Sequence, residues 1–168
     1  MPEELKIGGT LKRGTHLLVS NSAEYFVVAE LLRQEIITGL LPRNTPNYDI
    51  IAIKGNKTAK IRVKYKTSIY DGWQFVAKGH PDFTLKDITE NDFVILVNIT
   101  PPPQSPDYFI LKTKEVENIL QKGFKEWVVK SGKGGRPHSE KNKHRLLRYE
   151  EHKELLESRR GKWDILWQ

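Results

Sequence analysis

Cysteine is absent from this chain of 168 residues, which excludes disulfides, thiolate zinc sites and a cysteine nucleophile. No apolar run approaches the ~20 residues that a membrane span requires. The first residues, Met1-Pro2-Glu3-Glu4, have neither the basic start nor the apolar stretch of a signal peptide. A soluble protein of a reducing cytoplasm, without a membrane partner, is the expectation. His16, His80, His138, His144 and His152 show no spacing typical of a metal site. Gly132-Lys133-Gly134-Gly135 lacks the strand before and the Lys-Ser/Thr after that a phosphate loop needs, so it reads as a hinge.

What the sequence does have is positive charge in one place. Positions 122 to 162 carry 13 Lys/Arg against 6 Asp/Glu, and the remainder carries 15 against 15, so the whole net charge of +7 lies near the C-terminus. Such a tail implies an anionic partner, nucleic acid or an acidic protein, or else a solvated basic face. The length suits one compact domain over residues 1–130, extended over 131–168 by a basic loop, a helix and a Trp-rich tail docked on the core.

Ala23, Phe26, Val27, Leu31 and Ile37 recur at helical spacing, with Ser22 as N-cap, Glu24 in the first turn and Gly39 as C-cap. A loop with two prolines then leads into a strand at 48–53. Gly55-Asn56-Lys57 supplies the turn of an antiparallel hairpin. In the second hairpin strand Ile61, Val63 and Tyr65 take one face and Arg62, Lys64 and Lys66 the other. Three cations on one face need water, a carboxylate or a polyanion. Further strands are expected at 72–76, at 92–98, where a near-continuous apolar run implies a central position, and at 107–111. Helices are expected from Thr113 to about 121 and across 145–159, and the apolar end Trp163-Asp164-Ile165-Leu166-Trp167 should dock on the body.

Helix, hairpin, further strands, then helix, with Ala23-Glu24, Asp49-Ile50-Ile51-Ala52, Arg62-Val63-Lys64, Gly72-Trp73 and Trp163-Asp164-Ile165-Leu166 in that order, resembles the PD-(D/E)XK nuclease superfamily. Within it, the chain looks specifically like a group of small, mostly uncharacterised bacterial proteins. The resemblance covers most of the chain from about Leu17. It implies an α/β fold with a restriction-endonuclease-like core: a central mixed sheet of about five strands, flanked by helices, with the basic C-terminal helical extension. It also implies Mg²⁺-assisted phosphodiester hydrolysis, which needs hard oxygen ligands and a lysine near the phosphate. Asp49 would be the principal metal ligand, Glu24 a second, and Lys64 the catalytic lysine.

The second-strand ligand position, two before Lys64, holds Arg62, which has no acceptor and cannot ligate a cation. Arg62 is therefore expected to pair with Asp49 or Glu24. The nucleic-acid contacts expected with it are Lys66, Lys133, Arg136, Lys141 and Lys143. Each of these residues also has a plainer reading. Asp49 suits a strand entry, Glu24 the start of a helix dipole, the lysines a solvated face, and Trp73, Trp127, Trp163 and Trp167 the core rather than base stacking. A protein-binding or assembly module on the same fold is the alternative function.

Overall fold

In the computed structural model, residues 15–67, 70–77, 88–100 and 104–168 are described. They form α1 (Thr15–Arg33), β1 (Ile37–Leu40), β2 (Ile50–Lys54), β3 (Lys57–Thr67), β4 (Gly72–Val76), β5 (Asp92–Ile99), β6 (Asp107–Lys112), α2 (Thr113–Val129), β7 (His144–Arg148) and α3 (Lys153–Arg159), with short 3-10 turns in the C-terminal quarter. A mixed sheet of five strands runs in the order β1-β2-β3-β5-β6, and β4 and β7 form a second sheet of two strands. β3 and β5 are parallel; the other pairs in both sheets are antiparallel. This is the expected α/β architecture of a mixed sheet flanked by helices.

The hairpin turn is two residues long, since Lys54 pairs with Lys57. Gly55 takes φ 60° there, a conformation that suits a residue without Cβ. β5 is buried along almost its whole length, with Phe93, Val94, Ile95, Leu96 and Val97 all enclosed, as its unbroken apolar run requires of a strand covered on both faces.

Alternation along the strands divides the interior in two. Ile61, Phe93, Ile95 and Val97 pack with Ala23, Val27 and Leu31 of α1 and with Ile165 and Leu166 of the C-terminal turn. Val94, Leu96, Phe109 and Leu111 face the other way, onto Trp73, Phe75, Val116, Leu120, Leu147 and Leu156. The Trp163–Trp167 turn thus docks as expected, and each such enclosed apolar side chain contributes about 1.5–3 kcal/mol.

Three elements differ from the sequence expectation. α1 begins by Thr15 and stops at Arg33, so Ser22 lies inside it, with its hydroxyl donating to the Val19 carbonyl at 2.7 Å. The stop is a left-handed Glu35, φ 60°, behind which the Ile36 N–H returns to the Leu31 carbonyl. Ile37 and Gly39 accordingly belong to an edge strand. Residues 145–148, expected to be helical, belong to β7, which pairs with β4 because Leu147 and Trp73 share a core. α2 runs on to Val129, and its N-cap is Lys112, not Thr113; the Lys112 N–H donates to the Glu115 carboxylate at 3.0 Å. The expected boundary at 130 falls between α2 and β7, yet β7 completes a sheet with β4.

Candidate functional site

The registered pairing of β2 with β3 ends at Ile50 and Ile61. One residue earlier, the Asp49 N–H donates to the Ile61 carbonyl and its own carbonyl accepts from the Leu41 N–H, both at 2.9 Å. Beyond that point Val63 has no strand partner on this side, and the Asp49 Oδ2 accepts its N–H at 2.7 Å. The carboxylate stands in for the missing ladder acceptor.

Glu24 approaches from α1. Its carboxyl is pushed above the usual range by burial and then by the negative charge of Asp49, with Arg43 opposing. The structure therefore brings Asp49 and Glu24 into electrostatic range of one another. Arg62 leaves β3 on the opposite side from Ile61 and Val63, which pack toward α1. Burial lowers its guanidinium from the ordinary value, and Asp49 and then Glu117 of α2 oppose that shift. Its Nη1 is buried without a hydrogen-bond partner, and Arg62 closes no ion pair with Asp49 or Glu24 among the described residues. The expected direct pair is thus replaced by a longer-range field. The Val63 N–H engages Asp49, and the arginine is turned toward the α2 side, where Glu117 is buried.

This donor set does not fit a divalent cation. Mg²⁺ demands about six oxygen ligands and Ca²⁺ more. Here Asp49 and Glu24 offer carboxylates beside a fixed positive charge, and no group of three or more His, Asp or Glu that could hold a metal is assembled among the described residues.

The cationic face of β3 is lined by aromatic rings at Lys64 and Lys66. The Lys64 Nζ lies 5.4 Å from the Phe75 ring centroid. The Lys66 side chain is 8% exposed; its Nζ donates to the Asn98 Oδ1 at 3.1 Å and lies 5.1 Å from the Trp73 ring and 5.9 Å from the Tyr149 ring. Burial draws the Lys66 ammonium below its usual value, against the charges of Asp71 and Asp107. Aromatic faces replace part of the water that Lys64 and Lys66 would otherwise need.

Arg136, Lys141 and Lys143 are exposed as expected, and Lys133 lies in the short 3-10 turn Lys133–Gly135, its side chain outside the described residues. The loop that carries them is held, not hinged. Ser131 bridges to Pro137 and the Gly132 N–H donates to the Arg136 carbonyl at 2.8 Å. His138 stacks on Trp127 at 3.9 Å and 7°, Trp127 on Phe124 at 5.8 Å, and the buried Arg145 guanidinium lies 3.3 Å from the Phe124 centroid. That stack fixes the basic loop to the end of α2 and to β7. Trp127 is thus a docking residue, and Trp73 a core one.

A groove of about 670 Å³ opens beside Lys64, walled by β3 residues Val63 to Thr67 on one side and by Gln74, Val76, His144, Leu146 and Arg148 of the two-stranded sheet on the other. Sequence reasoning missed this groove, because its walls come from strands ~70 positions apart. It also missed a buried acid at the β3–β5 junction. The Asp92 Oδ1 meets the Lys60 Nζ at 2.8 Å, and its Oδ2 accepts from Tyr48 Oη at 3.1 Å and the Thr89 N–H at 2.6 Å. Glu117 was legible in principle, since the spacing that puts Val116 and Leu120 on one side of α2 puts Glu117 there too. No family model and no curated protein matches the chain.

Proposed function

We propose that this chain is a nucleic-acid-binding protein on a restriction-endonuclease-like core, derived from Mg²⁺-dependent phosphodiesterases, in which Arg62 occupies a metal-ligand position and the site holds phosphate without cutting it. The observation that carries this reading is the buried Arg62 guanidinium, two residues before Lys64, within the field of Asp49 and with Nη1 unpartnered. A guanidinium so placed repels the cation that hydrolysis needs. The exposed Arg136, Lys141 and Lys143 on their pinned loop extend the cationic surface.

Calorimetric titration with Mn²⁺ tests the ion. The wild type should bind weakly, and Arg62→Glu, which supplies an oxygen ligand and removes the cation, should bind more tightly and gain plasmid cleavage in Mg²⁺ that is lost again in Arg62→Glu/Lys64→Ala. Sub-millimolar Mn²⁺ binding by the wild type that disappears in Asp49→Ala overturns the incapacitated site. Fluorescence anisotropy tests the nucleic acid: binding to a labelled duplex should fall steeply with salt, by about 0.9 in slope per phosphate contacted, and the slope should shrink when Lys133, Arg136, Lys141 and Lys143 are neutralised together.

A protein-binding or assembly role is favoured by a different feature. Leu18, Tyr25 and Leu32 of α1 and Ile37 of the edge strand are each more than half exposed. No binding to any oligonucleotide at low salt moves the conclusion to that role.

A further inference from the structure

The groove beside Lys64 combines two chemistries that no single structural need explains. Lys64, Lys66 and Arg148 line it against one acid, Asp71, and His144 stands at its wall with Nδ1 2.8 Å from the Gln74 Nε2. The Asp71 carboxylate lies 3.7 Å from Arg148, whose Nε lies 3.5 Å from Glu151, both long contacts on half-exposed side chains that an incoming anion can displace. Interleaved with these are apolar surfaces open to solvent: Tyr70 is 54% exposed, Val76 and Leu146 each 44%. Cations along a wall with an accessible aromatic ring and aliphatic neighbours match a phosphate joined to a flat base.

Size decides between paired and unpaired forms. About 670 Å³ falls within the ~300–1,000 Å³ of sites that enclose a small ligand. A duplex, whose major groove alone is ~12 Å wide, cannot enter such a space. An unpaired nucleotide can.

We infer that this groove is a binding site for an unpaired nucleotide of a single strand, its base against Tyr70 and Leu146 and its phosphate toward Arg148 and Lys64. The inference rests on the nucleic-acid reading above and adds to it the strand state that is recognised and the surface that recognises it. Single-strand selectivity then comes from stacking, which is tolerant of base identity.

The test is fluorescence anisotropy of the full chain with a labelled (dT)8 strand and with a blunt duplex, for the wild type, Tyr70→Ala/Leu146→Ala, Tyr70→Phe and Arg148→Gln. The exposed positions of these side chains leave the cores intact. Tyr70→Ala/Leu146→Ala should weaken (dT)8 by about tenfold, as expected for loss of one stacked base, and leave the duplex within about twofold. Tyr70→Phe should retain single-strand binding, and Arg148→Gln should lower the single-strand salt slope by about 0.7. Unlabelled dTMP should fail to displace (dT)8 at concentrations where unlabelled strand succeeds; equal displacement overturns the strand as the source of the nucleotide. Unchanged (dT)8 binding in the double variant with duplex binding intact overturns the groove alone. Binding to neither probe by the wild type overturns the wider nucleic-acid reading with it.

Discussion

Two acids stand at the entries of the strands that flank β3, Asp49 before β2 and Asp92 in β5, yet they are built in opposite ways. Asp92 opens β5 fully buried, with Lys60 at 2.8 Å, Tyr48 at 3.1 Å and the Thr89 N–H at 2.6 Å. Burial alone raises such a carboxyl, but the hydrogen bonds from Lys60, Thr89 and Tyr48 outweigh it and hold Asp92 below the usual carboxylate range. Asp49 accepts one backbone N–H, and Arg62, two positions along β3 from Lys60, influences it without touching it. The first corner matches its charge by contact, with Oδ1 held by the Lys60 ammonium and no further hydrogen bond among the described residues. The second leaves its cation, Arg62, out of contact with the acid and the buried Nη1 without a partner among those residues.

The largest effect that separates the corners is expected at Asp92. Asp92→Asn leaves the Lys60 ammonium beside a neutral amide. Because Lys60 remains about a third exposed, the loss should be about 2–3 kcal/mol, below the range for fully enclosed pairs, read as a shift in the urea midpoint. Its pH dependence has a definite sign. A carboxyl depressed in the folded state stabilises above the unfolded value of about 3.9, and that stabilisation is lost as pH falls through the folded value. The gap between wild type and Asp92→Asn should therefore be full at neutral pH and close at pH below about 4. A gap that persists there breaks the account of this corner.

Asp49→Ala should cost less, about 1–1.5 kcal/mol, the loss of an acceptor for the Val63 N–H, while Asp49→Asn, which keeps an acceptor oxygen, should restore most of it. Arg62→Met comes next. Since no partner is bonded to Nη1, replacing the guanidinium by an apolar chain should be neutral or stabilising by about 1 kcal/mol. A loss as large as that of Asp92→Asn would show that both corners are structural. The smallest effect belongs to Glu24. Its carboxyl is raised by burial and by Asp49, so it stabilises only below the unfolded value of about 4.3 and becomes a cost as pH rises through the folded one. Glu24→Gln should gain about 0.5 kcal/mol or less at neutral pH, and that gain should vanish in acid.

The hairpin, the buried fifth strand and the docked C-terminal turn were legible because each obeys one local rule: a Gly-Asn turn, an unbroken apolar run, a dense apolar end. β7 was not. Its inward positions are 145 and 147, and the first of these is a buried arginine whose guanidinium lies on Phe124, so the period of two is hidden from any apolar count. The end of α1 was hidden in a similar way, since its left-handed residue is Glu35 and the glycine that looked like a cap, Gly39, pairs with Ile51 in the sheet. At the site, the sequence singled out Asp49, Glu24 and Arg62; the fold brings Asp49 into electrostatic range of each of the other two, while Arg62 is turned toward α2. It read Lys66 as part of an open strand face, because such a face reads as exposed until the distant strands that cover it are known, and it passed over Asp92 as the first residue of a strand.

The pairing of β4 with β7 joins residues 72–76 to residues 144–148, and so sets an order of assembly. The hairpin β2–β3 closes over two residues and can form at once, whereas β4 emerges from a ribosome about seventy residues before its only partner in that sheet. Until position 148 has been made, Trp73 and Phe75 have no Leu147 to cover them. The nascent chain can enclose the α1 side early, but the groove beside Lys64 gains its second wall only with residues 144–148. The groove is therefore a late product of folding, available to a ligand only once the whole described fold is in place.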